Sequence, residues 1–207
     1  MTATEGDLPL AVSLASRPPV PPSAGVGAGL SQARAQRFER IVSEHFAGMW
    51  RFLRRLGLDE ADTDDAAQEV LMVVVAKLDA INPSSERSFL FSTAFRVAAG
   101  VRRGQRRHVE LDDELSPVAS DGDENPEELL ALKRARAQLD RLLLPMPIDL
   151  RAVFVLYELE GMTMAEIASA LELAPGTVAS RLRRGREFFN ARFEKAKARH
   201  DRIGGVG

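Results

Sequence analysis

Cysteine is absent from the 207 residues, and with it go structural disulfides, cysteine-ligated zinc and thiol catalysis. Histidine is confined to His45, His108 and His200, too scattered to gather into a metal cluster. Long hydrophobic runs are missing too: the strongest, Val70–Ala76, is far too short to cross a bilayer. A cationic leader is also lacking, since Glu5 and Asp7 occupy the start and proline interrupts the apolar stretch Leu8–Leu14. A cytoplasmic protein without membrane insertion is therefore expected. There is no nucleophile–base pair and no phosphate-cradling glycine loop. The chain thus reads as no enzyme, with no catalytic residue, metal or cofactor expected.

Charge of one sign is not in excess overall. There are 28 Lys and Arg against 30 Asp and Glu, a net charge of −2, which by itself points to no polyanionic partner. The distribution is more informative. Residues 108–132 hold nine acidic and no basic side chains, whereas 31–107 and 133–207 each carry more basic than acidic ones. Two mildly basic blocks around an acidic insert suggest two domains and a linker, each domain able to meet phosphate separately. The map is then a disordered Pro/Ala/Gly-rich tail over 1–30, a domain over 31–107, an acidic flexible linker over 108–132, a second domain over 133–195 and a flexible end over 196–207. The tail lacks the periodic apolar residues that would offset its ordering entropy.

Both domains read as helical, which makes the fold class all-α: a three-helix bundle followed by a second small helical body. Phe38, Ile41, Val42, Phe46, Met49, Leu53 and Leu56 recur at three- and four-residue steps and make one buried stripe. Gly57 offers a stop. In "DEADTDDAAQEVLMVVVAKL" acidic and hydroxyl residues suit a helix start, and Ala67, Val70, Leu71, Val74 and Leu78 carry the stripe on. Asp62, Asp64 and Asp65 could suggest a metal site, but a helix cap explains them with fewer assumptions. "INPSSER" is a turn, and a third helix from about Ser88 is expected to bury Phe91, Ala94, Phe95, Ala98 and Val101. A helix restarts near Pro126, and another runs through "DLRAVFVLYELE" to Gly161.

The densest signal is "TMAEIASALELAPGTVASRLRRGREFF", Thr163 to Phe189. Thr163 and Glu166 have the spacing of a capping box, which fixes a short helix Met164–Leu171. Pro175 suits the first position of the next helix, and Val178, Leu182 and Phe189 step along its buried side. Thr177, Arg181 and Arg184 then share another face, with Ser180 and Arg183 beside them. A supporting helix, a tight turn and a second helix presenting Thr, Ser and Arg form a helix-turn-helix. Arginine can grip guanine bidentately or pair with phosphate, and small hydroxyl side chains let the helix lie close in the major groove. An ordinary solvated arginine-rich helix is the plain alternative. A second basic face weighs against it: Arg96, Arg103 and Arg107 recur at seven and four, and Arg102 and Arg106 widen the patch.

With both halves read, the chain resembles a bacterial RNA polymerase sigma factor of the sigma-70 family, in the extracytoplasmic-function (ECF) group. "DAAQEVLMVVVAKL" (Asp65–Leu78) resembles that family's core-polymerase-binding helix. "SFLFSTAFRVAAGVRRGQRR" (Ser88–Arg107) resembles the helix that reads and melts the −10 element, and Leu150–Phe189 the domain that reads the −35 element. The resemblance implies partners: core RNA polymerase, promoter DNA and an anti-sigma factor. It makes Asp65, Gln68, Glu69 and Met72 the polymerase-docking face, at spacings i, i+3, i+4 and i+7. Thr177, Ser180, Arg181, Arg183 and Arg184 become the −35 readers. For the −10 element the candidates are Asn82, Ser84, Ser85, Phe89, Arg96, Arg103, Arg106 and Arg107. The polar loop residues could hydrogen-bond a flipped base and Phe89 could stack on it, with Phe91 assigned to the core.

The chain departs from the family pattern in places. Phe89-Leu90 stand where a Trp-Leu pair is usual, Arg96 where an Asn is usual, Gly100 for an Asp, and Glu172 for a turn glycine. Arginine only donates, whereas asparagine also accepts, so no base is assigned to Arg96. If the turn requires a positive φ, Glu172 is strained. Elements about 25 base pairs apart lie ~85 Å apart along the duplex, and a fully stretched 25-residue linker (108–132) reaches at most ~80–90 Å. Simultaneous engagement then needs an extended linker together with the widths of the domains. A helix-turn-helix regulator that never joins polymerase is the nearest rival. A protein-binding helical adaptor is a second, though it leaves two arginine faces unexplained.

Overall fold

The computed structural model describes residues 32–108 and 126–204, with side chains described for 32–104 and 134–198. The expected tail and most of the acidic linker lie outside the described residues. Seven helices and no strand make up the described chain.

α1 (Gln32–Arg55), α2 (Glu60–Lys77) and α3 (Glu86–His108) each pack against the other two. The apolar stripe explains why: Ile41, Phe46, Met49, Leu53 and Leu56 of the α1 segment are buried, with Ala67, Val70 and Val74 of α2 and Phe91, Ala94 and Ala98 of α3. Phe91 meets Phe52 edge-on at 5.5 Å, the T-shaped arrangement that suits aromatic quadrupoles. Phe95 and Val101, expected in the core, are only partly buried. Gly57 ends the first helical run with φ +97°. The cap of α2 falls earlier than the acidic run suggests: Asp59 accepts from Asp62 N at 2.8 Å. Asp64 instead accepts from Trp50 Nε1 at 2.8 Å, which ties α2 to α1.

Buried Glu86 opens α3 and accepts from Arg37 Nε at 2.7 Å and Arg40 Nη2 at 2.8 Å, both on α1. Burial alone would raise the Glu86 carboxyl, but these two arginines outweigh it and hold it below its ordinary range.

α4 (Pro126–Leu143) begins at the expected proline and runs across position 132, where linker and second domain were expected to divide. α5 (Ile148–Phe154) continues into a π-helical turn, Val155–Leu159, and Gly161 follows with φ +64°. α6 (Met164–Leu171) and α7 (Pro175–Gly204) complete the chain. α7 lies on α5, where Gly185 lets the backbones close: a Cβ there would stand 3.3 Å from Phe154 Cβ. Phe154 stacks on Phe189 at 5.1 Å. Residues 196–204, expected as a flexible end, are helical. Ala and Lys, with Arg, favour continuing the helix, and no proline or glycine intervenes before Gly204.

Candidate nucleic-acid interface

The corner between α6 and α7 forms as its residues dictate. Thr163 N donates to Glu166 Oε2 at 2.7 Å and Glu166 N to Thr163 Oγ1 at 3.2 Å, a reciprocal capping box. Burial would raise the Glu166 carboxyl, but its bonds from Thr163 prevail and hold it low. α6 ends at Glu172, which sits at φ 54°, ψ 44° in the left-handed region. This is the conformation that glycine takes without a Cβ penalty. Thr177 N and Val178 N then donate to Ala174 O at 2.9 and 3.1 Å, starting α7 behind Pro175.

Val178 and Leu182 are buried, which fixes the face α7 turns outward. Arg183 and Arg184 are exposed on it, while Thr177, Ser180 and Arg181 are half-buried. Ser180 Oγ donates to Thr177 O at 3.0 Å, leaving its lone pairs as acceptors. Arg181 lies 3.4 Å from Asp149 on α5, and Arg183 donates to Glu187 at 2.5 Å. Arg184 has no ion pair among the described residues. The corner thus presents one unpaired guanidinium, two tied to carboxylates, and a small-residue floor between them.

The other candidates are less uniform. Asn82 and Ser84 are exposed and Ser85 half-buried, but Asn82 Oδ1 accepts from Ser84 N at 3.0 Å and from Ser84 Oγ at 2.9 Å. The loop is a capped 3₁₀ turn, Pro83–Ser85, so its best acceptor serves the backbone rather than standing open for a base. Phe89 is half-buried against the core and Phe91 is fully inside. Arg96 Nη2 donates to Ser92 Oγ at 2.8 Å and to the Glu172 carboxylate. Arg103 is exposed. The side chains of Arg106 and Arg107 lie outside the described residues. On α2, Asp65, Gln68, Glu69 and Met72 all face solvent, Met72 with 59% of its surface exposed.

Three groups escaped the sequence reading. Glu86, within a loop motif, is one. Glu160 is another, with only 4% of its side chain exposed, Arg51 at 3.1 Å and Arg55 at 2.7 Å. Burial lowers the Arg55 guanidinium against the support of Glu160. The third is Arg151, 2% exposed. It donates to Met146 O and Leu144 O beside it and, at 3.1 Å, to Leu56 O at the end of the α1 segment. Burial, then repulsion from Arg102, pushes it down to about 10, so it stays charged at neutral pH. None of the three carries a spacing that marks it in the sequence.

Comparison with known proteins follows the same lines. Residues 132–189 match the family model described as Sigma-70, region 4, which includes the whole corner. The ECF RNA polymerase sigma factor SigE of Mycolicibacterium smegmatis is 29% identical over 158 residues, 75% of this chain, which spans 61% of that relative's length. Among solved structures, RpoE of Bartonella quintana, in complex with the anti-sigma factor NepR, superposes with a TM-score of 0.61 over 77% of this chain and 98% of that one. At 19% identity this is a likeness of fold. SigL of Mycobacterium tuberculosis, another ECF RNA polymerase sigma factor, is 32% identical over 164 residues, 74% of this chain and 87% of the relative. By that identity over nearly a whole relative, the chain belongs to the ECF group of RNA polymerase sigma factors.

Proposed function

We propose that the chain binds core RNA polymerase, directs it to promoters by reading −10 and −35 elements, and helps melt the DNA at initiation, without covalent chemistry of its own. The observation that carries this reading is the α6–α7 corner, whose capped support helix holds Thr177, Ser180, Arg181, Arg183 and Arg184 on one outward face. A helix with that face fits the major groove, where arginine distinguishes guanine and phosphates set the register. Arg96 and Arg103 on α3 form the second contact, with Phe89 and the Asn82–Ser85 turn beside them. No helix among the described residues is long and apolar enough to cross a membrane, in keeping with work at cytoplasmic DNA. The reading includes an anti-sigma factor as a partner, the kind of protein that holds RpoE in the solved complex.

Run-off transcription tests it. Purified core polymerase should start at specific sites in a genomic promoter library only when the chain is added. Promoter binding without new transcripts would place it among helix-turn-helix regulators instead.

Polymerase docking falls to α2. Asp65, Gln68 and Glu69 offer acceptors, and exposed Met72 an adaptable thioether. Gln68→Ala with Glu69→Ala is expected to weaken capture of core polymerase about tenfold, near 1.4 kcal/mol. The helical circular dichroism should stay unchanged, because neither side chain is buried. Wild-type capture in a pull-down would remove α2 as the docking helix.

A further inference from the structure

Ser88, Ser92 and Arg96 recur at four-residue steps on α3, beside its core-facing Phe91, Ala94 and Ala98. Both serines are nonetheless buried, at 7% and 6% exposure. What covers them is α6, which packs along α3. Ser88 Oγ donates to Glu166 O at 3.4 Å, Arg87 stands 3.8 Å from the Glu166 carboxylate, and Arg96 pairs with Glu172. Two of the positions where the sequence leaves the family pattern, Arg96 for asparagine and Glu172 for glycine, are thus each other's partners.

A second contact lies one turn earlier in the C-terminal half. Glu160 follows the π-helical turn, its N donating to Val155 O at 3.0 Å. Its carboxylate takes Arg51 and Arg55 of α1, and its carbonyl accepts from Arg87 of α3. Gly48 of α1 makes room for it: a Cβ there would stand 2.8 Å from Glu160 Oε2. A third contact is Arg151, donating to Leu56 O. The surface pair Arg96–Glu172 is weak alone, but Glu160 and Arg151 are buried, and their hydrogen bonds belong to one relative placement of the halves.

We propose that the unbound chain is held shut by these contacts, a latch in which α6 lies over the α3 face that would read the −10 element. That last role rests on the function proposed above; the latch itself does not. α3 then offers Ser88, Ser92 and an untied Arg96 only after α6 lifts away, Arg103 being exposed already, and apparent promoter affinity scales with the fraction of open molecules.

The absence of cysteine allows clean labelling. Ala76→Cys on α2 and Ala191→Cys on α7, both at exposed positions, would carry spin labels for a distance measurement on the full chain. Two variants loosen the latch without harming their own elements. Glu172→Gly suits a left-handed backbone, and Gly48→Ala favours helix; combined, they strike two of the three contacts. Glu160→Gln keeps the shape and removes the charge.

A single narrow distance is expected in the parent, with longer and broader distributions in both the double variant and Glu160→Gln at unchanged helicity. Promoter-fragment binding should tighten about tenfold in the opened forms, as a tenfold rise in competent fraction requires. A broad parent distribution, or variants that leave it unmoved, overturns the latch. A narrow distance that opens as expected, with no run-off transcript from parent or variants, keeps the latch and sinks the sigma-factor reading.

Discussion

Arg181→Ala combined with Arg184→Ala is expected to lower run-off transcription from a −35-dependent promoter by about ten- to hundredfold, the effect of losing ~1–3 kcal/mol of base and phosphate contact. The two arginines are not equivalent. Arg184 is exposed and without an ion pair among the described residues, so all of its donors are available to DNA. Arg181 is half-buried and lies 3.4 Å from Asp149, an attraction that DNA must displace. Arg184→Ala alone should therefore cost more than Arg181→Ala alone. Asp149→Asn should raise output modestly by releasing Arg181. Neither arginine belongs to the buried core, so unfolding does not explain a loss. Promoter-specific output unchanged in the double variant would remove α7 as the recognition helix.

That corner is also where the sequence was most legible. Thr163 and Glu166 three residues apart, proline at 175 and the spacing of Val178 and Leu182 are local signals, and local hydrogen bonds carry them out. Even the strain at Glu172 could be anticipated, because a turn of that shape needs φ > 0 whichever residue occupies it. The three-helix half was readable for the same reason: a stripe of apolar residues has one way to hide. Phe52 and Leu90, fully buried yet off the stripe as read, show its limit, since a helix in a bundle meets neighbours on more than one side.

Charge was where reading the sequence failed. Pattern reading sends charged residues to the surface, and most of these obey. Glu86, Glu160 and Arg151 do not, because each finds partners more than 40 residues away or takes backbone carbonyls as its acceptors. No spacing encodes such a meeting. The same gap hid the relation of the two halves. A charge map divides the chain at an acidic insert and implies freely tethered bodies, yet α6 rests on α3 through partners that look like unrelated surface residues. Asn82 is a smaller case of the same kind: Ser84, two residues on, donates to its Oδ1 and builds a turn, which leaves the two Nδ2 donors of this exposed side chain to meet a base.

Arg151 supports the largest expected effect on stability. It is buried without a carboxylate, an unfavourable state for a cation unless every N–H finds an acceptor. Here carbonyls of Leu144, Met146, Arg55 and Leu56 fill that role, and the last two belong to the end of the α1 segment. Gly57, at φ +97°, leaves the space: a Cβ there would lie 3.2 Å from Arg151 Nη1. Arg151→Met preserves most of the volume but strands these acceptors in a dry site. The expected loss is about 3 kcal/mol, or a fall of roughly 6–12 °C in Tm for a chain of this size. Arg151→Lys keeps the charge but replaces a planar fork with one ammonium, so it should recover only part of the difference. The sign of the ionisation effect agrees. A guanidinium depressed to about 10 is less readily protonated in the folded chain than in the unfolded one. Its charge therefore opposes folding below that pH, and the opposition fades only as pH rises through 10 toward the unfolded value. Removing the charge is thus favourable in itself, so a net loss in Arg151→Met would understate what the hydrogen bonds contribute, because the relief of burying a cation is set against it. Chemical denaturation at neutral pH decides the matter: a midpoint equal to or above that of the parent would mean that the carbonyls find water instead, and that Arg151 does not hold the two halves together.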